Sequence, residues 1–231
     1  MIISHKYKFI FIKTWKTAGT SLEVFLSQCC GENDIVTPIW PDCEPHRARN
    51  YKGIWNPFVE IINNEGQYVK NTARSLLHLI KKKKFYNHIP ATVARQRMSS
   101  QIWNSYFKFC IERNPWDKTL SHYSMLNAWQ SGTISFDDYI KKGRFCIDFP
   151  IYTDYRGHLL VDKVVKYETL MDELESIFQE LGIAFEGSLG VRAKSEYRKD
   201  KRPYQDVFSN QQREVIEKAF AKELEMHGYT F

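Results

Sequence analysis

No run in the 231 residues approaches the eighteen or so consecutive apolar residues that a membrane-crossing helix needs, and the opening Met-Ile-Ile-Ser-His-Lys lacks a signal-peptide apolar core. A soluble, cytoplasmic protein without stable membrane insertion is therefore expected. Cysteine is sparse. The five, at 29, 30, 43, 110 and 146, are odd in number and show neither C-x-x-C nor Cys/His ligand spacing. That argues against a disulfide framework and against a zinc site, and predicts reduced thiols that serve in packing. Internal repeats, low-complexity tracts and linkers are absent as well. Glycine is scarce where nucleotide loops require it, since Gly19 is the only one among the first thirty residues. This excludes a G-x-G-x-x-G dinucleotide fingerprint there. Lys16 precedes Gly19, so the triphosphate-loop frame G-x-x-x-x-G-K-[ST] is excluded too.

What the sequence has is enough apolar material, 43% hydrophobic and 15% aromatic, for one domain spanning 1–231 with a substantial core. Phe9 to Ile12 are four consecutive apolar residues, β-branched or aromatic, as in a strand buried on both faces. After a turn at Ala18-Gly19, Leu22, Phe25, Leu26 and Cys29 recur at helical spacing. The strand-to-helix loop thus directs backbone N–H groups, the positive end of a helix dipole, two lysines, Lys13 and Lys16, and two hydroxyls, Thr20 and Ser21, to one region, which predicts bound phosphate.

A second strand-to-helix junction follows at Tyr106 to Glu112, which runs into Arg113-Asn114-Pro115-Trp116-Asp117-Lys118-Thr119-Leu120-Ser121. Pro115 suits a helix's first turn, and Trp116, Leu120, Tyr123 and Leu126 form its buried stripe. Arg113 at the strand end and Ser121 about two turns later converge on one phosphate if the helix packs across the strand tip. The net charge of +6 is moderate, and the lysine run 81–84 reads as a solvated helix end.

The loop Lys-Thr-Trp-Lys-Thr-Ala-Gly-Thr-Ser at 13–21, the R-N-P-W-D-K segment with serine at plus eight, Asn87-His88-Ile89-Pro90-Ala91-Thr92, Val165-Lys166-Tyr167-Glu168 and the C-terminal His227-Gly228-Tyr229-Thr230-Phe231 together resemble the sulfotransferases that use 3′-phosphoadenosine 5′-phosphosulfate, PAPS. The likeness runs through most of the chain and is nearest the bacterial-type branch related to heparan and chondroitin sulfotransferases. It implies a P-loop-like sulfotransferase fold. It further implies that Lys13, Lys16, Thr17, Ala18, Gly19, Thr20 and Ser21 bind the 5′-phosphosulfate and that Arg113 and Ser121 bind the 3′-phosphate. Lys199 or Arg202, in the basic loop 192–202, would fold over the nucleotide, Lys16 would neutralise the leaving group, and His88 would take the acceptor's proton. No metal is implied. The chain departs from the pattern in having Lys13 and Trp15 where relatives carry histidine and proline, and Lys118 and Lys166 where they carry arginine, which removes the bidentate fork.

His122 is an alternative base, turned about 100° from Ser121 on a helix. Glu23 is a further alternative base, although a carboxylate at a helix's first turn is also expected there without any catalytic task, and Glu168 suits a structural partner of Lys166 or Arg113 without a catalytic role. Strands near 7–13, 106–112 and 163–167 alternate with helices near 20–29, 71–82, 90–104, 115–130, 168–181 and 209–226, which predicts a three-layer α/β/α domain with a mainly parallel sheet and ligands at the strands' carboxyl ends. Residues 32–70, with few periodic signals, read as an insertion that shapes the acceptor site. The acceptor is a small molecule or a carbohydrate, and the residues do not choose between them. A nucleotide-dependent phosphotransferase lacks its loop and its acidic metal-binding strand end here. A nucleic-acid-binding protein lacks a recognised motif.

Overall fold

A computed structural model describes residues 1–62, 68–191, 193 and 197–231. Among them, β1 (Ile2–Ser4), β2 (Phe9–Phe11), β3 (Ile35–Val36), β4 (Phe107–Glu112) and β5 (Lys163–Lys166) form one sheet in the order β3-β1-β2-β4-β5. β2 pairs in parallel with β4, Phe9 opposite Phe107, and β4 pairs in parallel with β5, Phe109 opposite Lys163. β1 is antiparallel to both β2 and β3. Every strand but β1 therefore runs the same way, as the predicted mainly parallel sheet requires.

The helices are α1 (Gly19–Cys29), α2 (Phe58–Ile62), α3 (Tyr68–Ile80), α4 (Ala91–Gln96), α5 (Ser100–Ser105), α6 (Pro115–Trp129), α7 (Phe136–Lys142), α8 (Phe149–Tyr152), α9 (Leu170–Leu181), α10 (Asn210–Ala219) and α11 (Ala221–His227). The period-2 alternation of β2 divides them between two faces. Phe9 and Phe11 meet Leu22 and Leu26 of α1 and Leu174, Ile177 and Phe178 of α9. Ile10 and Ile12 meet Ala91 and Ala94 of α4, Trp103 of α5 and Tyr152 of α8. A third, largely aromatic cluster joins α6, α7, α10 and α11 through Trp116, Tyr139, Ile216 and Phe220. Among the described residues no helix is long and apolar enough to cross a membrane.

The expected elements differ in detail. β1 and β3 are three and two residues long, below the length at which alternation is visible. The helix predicted for 90–104 is two helices, because Ser99 caps α5 by accepting from the Ile102 N–H at 3.3 Å, while Arg97, which ends α4, sends its guanidinium to Glu60. The helix predicted for 209–226 breaks at Phe220, fully buried in the third cluster. Part of the 32–70 segment joins the sheet as β3. Arg49 then fastens it to the Ser27, Cys30 and Gly31 carbonyls, at the end of α1 remote from the 13–18 loop. Residues 63–67 of that segment lie outside the described residues.

Candidate functional site

The 13–18 loop leaves β2 and enters α1 through two left-handed residues, Lys16 at φ 60° and Ala18 at φ 59°. Beneath it, the Thr14 hydroxyl donates to the Ile111 carbonyl of β4 and meets the Thr17 hydroxyl at 2.9 Å. Both threonines are buried, so Thr17 builds the loop and is not presented at its mouth. Ala18 gives α1 no side-chain cap, and among the described residues no side chain takes its place at the helix's first N–H groups. Gly19 is needed for space: a Cβ there would come within 2.9 Å of Lys13 Cγ. Thr20 is half-buried, and Ser21 Oγ accepts from the Ala193 N–H at 3.0 Å, tying the C-terminal loop to α1.

The expectation that Lys13 faces the nucleotide is corrected. Its ammonium lies 2.5 Å from Glu23 Oε2, in a pair of side chains 3% and 0% exposed. Burial alone would raise the Glu23 carboxyl, but Lys13 and the amino terminus hold it down at about 2. Glu23 is thus the buried counter-ion of Lys13 and is not a base. Lys16 is the lysine toward the mouth, half-buried, with Nζ 5.7 Å from the Tyr197 ring centroid.

Arg113 leaves the tip of β4 beside this loop. Its Nη1 donates to the Lys16 carbonyl at 2.9 Å, its Nε and Nη2 donate to Asp117 Oδ2 at 2.8 and 2.5 Å, and its guanidinium lies 4.1 Å over the Tyr167 ring. Asn114 caps α6 by accepting from the Trp116 N–H at 3.1 Å, with Pro115 at the first turn. Ser121 lies one turn beyond Asp117 on the same helix face and is half-buried. Glu168 is structural, accepting from the Asn114 N–H at 2.8 Å and the Tyr229 hydroxyl at 3.2 Å.

The basic loop does approach, through a residue not singled out in the sequence. Arg198 Nη1 donates to Asp117 Oδ1, so one carboxylate holds two guanidiniums. Lys199 is exposed, and Arg202 pairs with Asp200 while 62% exposed, so neither of the two expected side chains reaches this cluster. Arg192 and residues 194–196 lie outside the described residues.

His88 stacks on Trp15, with ring centroids 3.8 Å apart and planes 7° from parallel. Its Nδ1 lies 3.2 Å from the Lys13 carbonyl. A carbonyl only accepts, so Nδ1 carries the proton and Nε2 keeps a lone pair. Burial, then the Lys13 charge, hold this imidazole down at about 3, neutral at pH 7. His122 meets the Tyr139 hydroxyl at 2.9 Å, and burial, then Lys16, hold it at about 4.

Behind both motifs lies a buried triad. Lys118 Nζ is 2.6 Å from Glu112 Oε1 and 2.6 Å from Asp148 Oδ2. Asp148 accepts the Trp15 N–H at 3.1 and 2.9 Å, and Glu112 accepts the Arg113 N–H at 2.9 Å. Burial would lower the Lys118 ammonium, but its two carboxylates prevail and raise it. Burial outweighs Lys118 at Asp148 and lifts that carboxyl to about 7. Lys118, fully buried, therefore faces these carboxylates and not a ligand.

No family model matches the chain. An uncharacterized protein of Archaeoglobus fulgidus is 30% identical over 118 residues, which make up 48% of this chain and 98% of the archaeal protein. The chain belongs to that protein's family. In this member the residues brought together at the tips of β2 and β4 are Lys16, Arg113, Asp117 and Arg198, with His88 and Trp15 on the loop's other flank. Asp148 escapes a reading of the sequence because its partner Trp15 stands 133 positions away, and no local period marks such a pair.

Proposed function

We propose that this protein is a sulfotransferase with a P-loop-like fold, which moves the sulfonate of PAPS to a hydroxyl or amine of an acceptor, a carbohydrate or other small molecule, in the cytoplasm. The observation that carries the reading is the 2.9 Å bond from Arg113 Nη1 to the Lys16 carbonyl, which joins two motifs 97 residues apart at adjacent parallel strand ends. A donor with phosphates at both its 3′ and 5′ positions calls for two such cationic stations side by side. The donor set fits: among the described residues three of Arg113's five N–H donors are bonded, to Asp117 and Lys16, and two remain for an anion. The α1 N-terminus has no side-chain cap to displace.

In the reaction, a bond from the acceptor oxygen or nitrogen to sulfur forms as the bond from sulfur to the 5′-phosphate oxygen breaks. Lys16 stabilises the charge that grows on that phosphate, and His88 Nε2 takes the acceptor's proton. The low affinity of His88 for a proton stems from burial and Lys13, and a multiply anionic ligand nearby opposes the second of these.

Titration with adenosine 3′,5′-bisphosphate in the absence of Mg²⁺ tests the reading. Submillimolar binding that raises the melting temperature is expected. Lys16→Ala and Arg113→Ala should each weaken it about ten- to hundredfold, the worth of a charge-assisted hydrogen bond. Binding of ATP that Mg²⁺ strengthens, without bisphosphate binding, would replace the reading with phosphotransfer.

A further inference from the structure

α3 is amphipathic and faces the unexpected way. Ser75 is buried and donates to Glu60, and His78 packs on Tyr86 at 4.6 Å between ring centroids, so its polar side meets the protein. At 100° per residue, Leu76, Leu77 and Ile80 lie on the far side, and they are 46%, 56% and 79% exposed. Phe58 lies on the side of α2 opposite the Glu60 that receives Ser75 and is 66% exposed. Ordinary surface helices bury their apolar stripe, and an exposed patch of this kind marks a contact surface.

Charge identifies the contact. Residues 51–85 contain seven lysines and arginines against two glutamates, a net of +5, so nearly all of the chain's +6 is concentrated there. Of the two acids, Glu60 is buried in a pair with Arg97, and Glu65 lies outside the described residues. Arg74, Lys81 and Lys82 are exposed beside the apolar stripe. A hollow of about 430 Å³ lined by Ala73, Arg74, Leu77, His78 and Lys81 opens on the same face. Cations around an exposed aliphatic stripe match the boundary between anionic headgroups and acyl chains. A second copy would set Arg74, Lys81 and Lys82 against the same three cations. A soluble polyanion would gain nothing from Leu76, Leu77 and Ile80.

We infer that the outward face of α3 docks the protein reversibly on an anionic lipid surface, with Leu76, Leu77 and Ile80 at the acyl boundary and Arg74, Lys81 and Lys82 against lipid phosphates or carboxylates. The inference is independent of the reaction at the β2 and β4 tips.

Co-sedimentation of the full chain with phosphatidylcholine vesicles, with and without about 30% phosphatidylserine, tests it at low and moderate salt. Binding to the anionic vesicles alone, weakening as salt rises, is expected. Lys81→Ala/Lys82→Ala should weaken it about thirtyfold, from roughly fivefold per cation, and Leu77→Ser/Ile80→Ser at least about tenfold. Both variants alter exposed residues and should keep the wild-type melting temperature. Equal binding to both vesicle types, no binding to either, or wild-type binding by both variants would overturn the inference. So would a concentration-dependent dimer that Leu77→Ser/Ile80→Ser abolishes, which would give the face to a second copy.

Discussion

Lys118→Met should be the most destabilising single change near the site, and its cost should depend on pH in one direction. Lys118 lies 2.6 Å from each of two buried carboxylates, and methionine keeps most of the volume while removing the charge. Breaking a buried pair from one side costs about 3–5 kcal/mol, because the stranded charge stays desolvated. For a domain of this size that is a melting point lower by roughly 6–20 °C. The variant can escape part of the cost by taking up a proton. Asp148 already stands at about 7 with Lys118 present, and loss of the cation moves it higher. A carboxyl raised in the folded state gives stability that is complete below its unfolded value of 3.8 and is lost as pH rises through the folded value. Above about pH 7 the wild type has lost that contribution while the variant still holds the proton. The deficit should therefore be largest near pH 9, shrink by up to about 1.4 kcal/mol per pH unit toward pH 7, and level off below. Denaturant melts of both proteins between pH 9 and pH 6 measure it. A deficit below about 1 kcal/mol, or one equal at every pH, would refute the account of Lys118 as the counter-ion of two buried carboxylates.

Two further outcomes follow from His88. His88, held at about 3 against an ordinary 6.5, carries a depressed value, so its contribution is complete above pH 6.5 and is lost as pH falls toward 3. At pH 5 that is about 2 kcal/mol, and His88→Gln should lose about that much less than the wild type between pH 7.5 and pH 5; equal losses would contradict a neutral buried imidazole. In turnover with labelled donor, His88→Ala should bind adenosine 3′,5′-bisphosphate as the wild type does and transfer about 10²–10⁴-fold more slowly, whereas unchanged transfer would remove His88 from the role of base.

The parts of this structure that local patterns specify are the parts that can be read from the chain. Phe9–Phe11, the helical recurrence of Leu22 and Leu26, and Asn114-Pro115 at a helix start each depend on residues a few positions apart, and each is found as expected. β1 and β3 escape because strands of three and two residues owe their existence to their partners, Phe9–Phe11 for the one and β1 for the other. α3 is visible as a helix, but a helical period marks an apolar stripe without saying which way it faces. That choice was made by Glu60, which draws Ser75 inward from fifteen positions away.

The site divides along the same physical line. Lys16 and Arg113 are legible because each follows a strand and opens a helix, where backbone geometry alone collects donors. Lys13 could not be separated from Lys16 by motif, since both are cations on one loop, and the difference lies in Glu23, whose carboxylate compensates the buried Lys13 ammonium. Arg198 was indistinguishable from Lys199 and Arg202 until Asp117 chose among them. In each case an acidic residue decides which cation is held in place. Basic residues gather at the tips of both strands, and the carboxylates of Glu23, Glu112, Asp117 and Asp148 determine which of them is held where.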